Sequence, residues 1–123
     1  MIERAGHLPG LDPDAVEWRT LRFRRGGETV DVAVPALDEA QAAALAARVR
    51  ANARTHLRAR PVASVVASID AAVARLLDRG DPWRQRMERV LPVVTGFDAE
   101  MVRLGLTGCL RTFRKPELLK FLA

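Results

Sequence analysis

Two periodicities divide the chain. Between residues 18 and 34, in "WRTLRFRRGGETVDVAV", apolar and polar positions alternate on either side of a Gly-Gly pair. Alternation of period two predicts strands, and paired glycines supply the positive φ angles of a two-residue hairpin turn. With Gly26-Gly27 as the turn, Arg25 faces Glu28, Phe23 faces Val30 and Leu21 faces Val32. The opposite face then pairs Arg22 with Asp31 and Arg24 with Thr29, so apolar meets apolar and charge meets charge. Pro35 is expected to end the second strand. An isolated hairpin is marginal in water, so it must lie against something.

After residue 38 the period changes to that of a helix. Asp38 is a good N-cap, with Gln41 in capping-box spacing. Ala42, Leu45, Ala46, Val49 and Ala53 form a stripe that ends near Leu57. Pro61 suits a first helical position. Val62, Val65, Val66, Ile69, Val73, Leu76 and Leu77 make the strongest amphipathic stripe, which Gly80 is expected to close. Val65, Ile69, Val73 and Leu76 are expected among the most buried residues. Asp81-Pro82 opens the next helix, with Trp83, Met87, Val90 and Leu91 on its apolar side. Pro92 is expected to disturb or end it, because proline lacks the donor that a helix interior requires. Gly96 allows a tight turn, and Asp98 caps a helix whose stripe is Val102, Leu106, Cys109 and Phe113. A last helix starts at Lys115-Pro116, carries Leu118, Leu119 and Leu122, and has no exit, so the chain is expected to be cut inside an element.

The pattern predicts an α+β, mostly helical fold: an N-terminal loop over residues 1–17, then one hairpin-plus-helices segment over 18–123, with four or five amphipathic helices and a two-stranded sheet. At 123 residues the chain is one domain at most, and its apolar share of 49% suffices for a core. No apolar run approaches the ~20 residues of a membrane span, and, with no apolar h-region in the first residues, no signal peptide is expected. A single cysteine excludes an internal disulfide; it fits a reducing compartment, and a cytoplasmic location is expected.

The net charge of +5 is carried almost wholly by arginine. No acidic residue falls between Ala40 and Ile69, whereas Arg48, Arg50, Arg54, Arg58 and Arg60 do. Arg50, Arg54 and Arg58, four apart, share a helix face. They read either as a solvated face or as an anion-facing stripe for phosphate, a cofactor tail or an acidic neighbouring surface.

Candidate chemistry is sparse. His7 and His56 have no carboxylate or cysteine at ligand spacing, so no metal site follows. Neither Gly26-Gly27 nor "GLTG" matches a phosphate-binding glycine loop. Cys109 sits on an apolar stripe and reads as a buried structural thiol. A DNA-reading helix-turn-helix about Gly96 is opposed by Pro92 and by the acidic start Asp98-Ala99-Glu100. No catalytic, cofactor-binding or metal-binding residue is assigned within this chain.

From about Arg60 onward, "ARPVASVVASIDAAVARLLDRGDPWRQRMERVLPVVTGFDAEMVRLGL" resembles the N-terminal region of LuxC-like fatty acyl-CoA reductases of the aldehyde dehydrogenase superfamily. The resemblance rests on Arg60-Pro61, then Asp81-Pro82-Trp83-Arg84, then Leu91 to Met101. In that family the middle element reads D-x-P-x-R; here Asp81 adjoins Pro82 and Arg84 follows one residue later. The hairpin and the alanine-rich helix resemble an aldehyde dehydrogenase entry segment more loosely. The resemblance implies a parent enzyme that transfers hydride from NADPH or NADH to an acyl thioester. Its active-site cysteine takes the acyl group before the aldehyde is released. The family's cofactor domain and nucleophile lie downstream of the matched region, and Cys109 does not match that nucleophile. On this reading the chain is a non-catalytic N-terminal structural segment whose partner is the downstream catalytic domain. A free-standing helical interaction module and a basic helix-turn-helix nucleic-acid binder are the alternatives. Self-association through the hairpin edge or the C-terminal helix is expected of the isolated chain.

Overall fold

The computed structural model describes residues 2–122. It divides into two compact units, Met1–Arg60 and Pro61–Ala123.

In the first unit, strand β1 (Ile2–Arg4) precedes a 3₁₀ turn (Pro13–Ala15), strands β2 (Glu17–Arg25) and β3 (Glu28–Ala36), helix α1 (Glu39–Asn52) and a π turn (Ala53–Leu57). The hairpin register is the expected one, with Phe23 opposite Val30, Leu21 opposite Val32 and Arg22 opposite Asp31. Gly26 and Gly27 both take positive φ, at 55° and 84°, as a two-residue turn of primed type requires. Arg22 donates to both carboxylate oxygens of Asp31, at 2.7 and 2.8 Å.

Two expectations fail here. The sheet has three strands, not two, in the order β1-β3-β2. Residues 1–17 are therefore not simply a loop. Ile2–Arg4 runs parallel to Asp31–Ala33, and the Ala5 amide continues the ladder to the Ala33 carbonyl at 2.9 Å. The sequence "IER" is too short and too polar to show a period, so only the partner strand reveals it. Pro35 does not end β3, which runs to Ala36. Counting from the turn, Pro35–Trp18 is a pair that exchanges no hydrogen bonds, so the missing donor costs the hairpin nothing. As the middle strand, β3 is covered on both faces: Val30 and Ala33 point opposite ways and are both buried.

Helix α1 begins with the expected capping box. Gln41 N donates to Asp38 Oδ1 at 2.7 Å, and Asp38 N donates to Gln41 Oε1 at 3.1 Å. Its inward face, however, keeps only Leu45 and Ala53 of the apolar stripe. Gln41, Leu45 and Asn52 are half-buried, whereas Ala42, Ala46 and Val49 are exposed. Polar contacts set this rotation. Gln41 Nε2 donates to the Ala15 carbonyl at 3.0 Å, and the Arg48 side chain lies over Gly10, where a Cβ would stand 3.0 Å from its Nε.

The second unit comprises α2 (Val62–Leu77), α3 (Pro82–Thr95), α4 (Ala99–Arg111) and α5 (Lys115–Lys120). Its apolar core is Val66, Val73, Val93 and Val102. Ile69, expected inside, is 39% exposed, and Val65 and Leu76 are only half-buried. Asp70 explains the turn of α2. It receives Arg114 Nε at 2.6 Å and the Lys115 amide at 2.7 Å, so it caps α5 from the side. The inward row is thus Val66, Asp70, Val73 and Leu77, and Ile69 stands beside it.

Pro92 neither ends nor visibly breaks α3, which runs to Thr95. The last turn is held by Thr95 Oγ1 donating to the Leu91 carbonyl at 2.7 Å and Gly96 N to the Pro92 carbonyl at 3.2 Å. Val93, 7% exposed, is buried by the same turn. Gly96 then leaves the helix at φ 78°, and Asp98 caps α4 by accepting from Met101 N at 2.8 Å. α2 closes at Asp78 rather than at Gly80.

Candidate docking surface

The organising residue of the helical unit is an arginine. Asp81 fixes the start of α3: its carboxylate accepts from Trp83 N at 2.8 Å and from Arg75 Nε at 3.0 Å. That places Arg84 inward, where its side chain is fully buried. Its Nε donates to Glu88 Oε1 at 2.8 Å and its Nη1 to the Leu76 carbonyl at 3.3 Å. Its Nη2 donates to the Arg103 carbonyl and to Thr107 Oγ1, both at 3.0 Å. One planar guanidinium thus joins α2, α3 and α4, a task its fork of donors suits. Glu88 lies between two guanidinia, with Arg103 Nε 3.5 Å from its second oxygen.

This hub explains why α4 departs from its expected stripe. Thr107 and the Arg103 carbonyl must face Arg84, so α4 turns its Arg103–Thr107–Leu110 side inward. Val102 stays buried and Leu106 half-buried, but Phe113 is 47% exposed and Cys109 is exposed as well. The expectation of a buried thiol is therefore wrong. Trp83, expected on the apolar side of α3, is 56% exposed and lies beneath the Arg86 guanidinium, 5.1 Å from the ring centre.

Three carboxyls in this unit titrate low. The Arg84 guanidinium holds Glu88 below the usual carboxylate range. Arg114, then the Lys115 amide, does so for Asp70, and the Trp83 amide, then Arg75, for Asp81. A carboxyl lowered on folding stabilises the fold above its unfolded pKa of about 4, and that contribution vanishes as pH falls through the lower folded value. Helical ellipticity should therefore hold through neutral and mildly acidic pH and fall at pH values below about 4. A helical signal unchanged down to pH 2 would contradict these three assignments.

Where α3 meets α4, the turn at Gly96 leaves a surface of different character. An open apolar groove of about 350 Å³ is lined by Leu91, Thr95, Phe97, Met101, Val102 and Leu106, with Gly105 at its side. Phe97 is 55% exposed, Met101 56% and Leu104 65%. Leu119, Phe121 and Leu122 at the end of the chain are exposed too. An exposed apolar groove of this kind marks a binding face more often than scattered single apolar residues do.

The residues weighed for chemistry do not form a site. His7 lines a shallow pocket of the first unit with Arg4 and Trp18, and His56 lies on the π turn. Among the described residues, no group of three His, Cys, Asp or Glu side chains could hold a metal ion. No helix among them is long and apolar enough to cross a membrane. Sequence reasoning missed the Arg84 hub, although Arg84, Met87 and Leu91 do recur at core-facing spacing. No family model matches the chain, and neither does any curated protein or solved structure with which it was compared.

Proposed function

We propose that this chain is the N-terminal structural segment of a NAD(P)H-dependent acyl-CoA reductase, a parent enzyme that reduces an acyl thioester to an aldehyde. Its contribution is a docking face for the downstream catalytic domain, with no chemistry of its own. One observation carries the reading. The stretch that resembles the reductases, Leu91 to Met101, builds the exposed groove with Phe97 and Met101 at its rim. Arg84, from the Asp81-Pro82-Trp83-Arg84 step, is the hub that holds the groove's helices together.

The genomic frame after Ala123 is the first check. A continuing frame that encodes a nucleotide-binding region and a reactive cysteine supports the proposal. A stop codon at that point overturns it in favour of the free-standing interaction module. In the whole polypeptide, Met101→Glu with Leu104→Glu should loosen the contact and lower NADPH oxidation with an acyl-CoA. Most interface side chains are worth less than about 1 kcal/mol and a central hot spot about 2 kcal/mol or more, so the double substitution should weaken docking measurably. The 123-residue chain alone should oxidise no NADPH with any acyl-CoA. It should self-associate in light scattering through the hairpin edge or the C-terminal helix. Thioester-dependent turnover by the chain alone would refute the assignment.

The helix-turn-helix alternative gains nothing from the geometry. The exposed start of α4 presents Asp98 and Glu100, which repel phosphate.

A further inference from the structure

Three arginines at the end of α1 and just beyond it stand apart from every role described so far. Arg50, Arg54 and Arg58 are all exposed. None takes part in an ion pair among the described residues. On α1, Arg50 lies on the side away from Gln41 and Arg48, which contact the rest of their unit.

The backbone aligns them. In a continuous α-helix each four-residue step overshoots a full turn by about 40°, so three residues spaced by four fan across the surface. Here the helix gives way to a π turn at Ala53–Leu57, closed by Arg58 N donating to the Ala53 carbonyl at 2.9 Å. A π turn needs more than four residues per turn, so the same step falls short of a full turn and swings Arg58 back toward Arg50. On that geometry the three positions fall closer to one line than in a continuous α-helix, at successive axial steps of about 5–6 Å.

We propose that the Arg50–Arg54–Arg58 row docks an extended acidic segment of a partner polypeptide, with carboxylates on alternate residues. In an extended strand, alternate side chains leave one face in a straight line about 6.6 Å apart, a spacing that flexible arginines span. A guanidinium fork takes a carboxylate through two parallel hydrogen bonds. A nucleic-acid strand fits less well. Glu39 stands on the same side of α1, about three turns before Arg50, where a longer run of phosphates would meet it. The surface between them is Ala43, Ala46 and Ala47, which offers no side-chain donors for phosphate or sugar and no ring for a base to stack on.

The test uses the whole chain at low ionic strength and a fluorescein-labelled eight-residue peptide that alternates glutamate with serine, read by anisotropy. The peptide should bind severalfold more tightly than its isomer with the four glutamates in one block. Arg50→Ala, Arg54→Ala and Arg58→Ala together should weaken it by about tenfold or more, three exposed ion pairs being lost. Arg111→Ala, on α4, should leave it unchanged. Moving one charge off the row, Arg54→Ala with Thr55→Arg, should also cost severalfold at constant net charge. Circular dichroism establishes that each variant is folded. Equal affinity for the two peptides, or for the relocated variant, would reduce the row to a diffuse charge and overturn the proposal. So would no measurable binding, or tighter binding of a short DNA duplex than of the peptide.

Discussion

Arg84→Ala should strip the helical unit of much of its stability. The substitution removes the guanidinium that bonds Glu88, the Leu76 and Arg103 carbonyls and Thr107. It leaves a cavity where a fully buried side chain stood, and polar groups that have lost their donor. Breaking a buried, hydrogen-bonded charge in this way costs about 3–5 kcal/mol. A small domain has a total stability of only about 5–15 kcal/mol. Urea titration followed by far-ultraviolet circular dichroism should show the helical transition displaced to much lower denaturant, or the helices absent at the outset. Arg84→Lys should retain some stability, because one ammonium keeps the charge but cannot reach four acceptors on three helices. An alanine variant as stable as the parent would mean that apolar packing alone holds the unit.

Pro92→Ala should act in the opposite direction. Pro92 lies inside α3, where it can supply no amide to the helical ladder and its ring presses on the preceding turn. A proline in a helix interior is less favourable than alanine by about 3 kcal/mol, less whatever local adjustment the helix has already made. The variant should therefore gain about 1–3 kcal/mol in the same urea titration. If stability falls instead, the ring must be packing in the α3–α4 seam. Within the proposed function, a more stable but less well docked variant would indicate that the proline shapes the groove.

What the sequence made legible depended on how local the cause was. The hairpin register follows from a period of two and a Gly-Gly turn, and the caps at Asp38, Asp81 and Asp98 act through amides two or three residues away. The helix faces were harder. Ile69, Cys109 and Val49 each belong to an apolar stripe, yet each is turned outward by a polar side chain with a distant partner. Asp70 reaches Arg114, Thr107 meets Arg84, and Gln41 reaches Ala15. A stripe drawn from apolar residues alone leaves those partners out and comes out rotated. β1 needed its partner strand to be seen, and nothing in "ARTHL" announces a π turn. The groove at Leu91–Leu106 was visible as a helix–turn–helix joint, but its openness to solvent appears only in three dimensions.

The distribution of indoles has an optical consequence. The chain has two tryptophans and no tyrosine, and the tryptophans fall one in each compact unit. Trp18 is half-buried, with Arg4 over its ring at 5.2 Å and its Nε1 donating to the Pro13 carbonyl at 2.9 Å. Trp83 is mostly in water at the start of α3. Excited at the red edge of indole absorption, the two report from unlike surroundings, one bluer and shielded, the other redder and open to quenchers. Each unit carries its own fluorophore, so a Trp→Phe change at either position leaves an emission spectrum that belongs to the other unit alone.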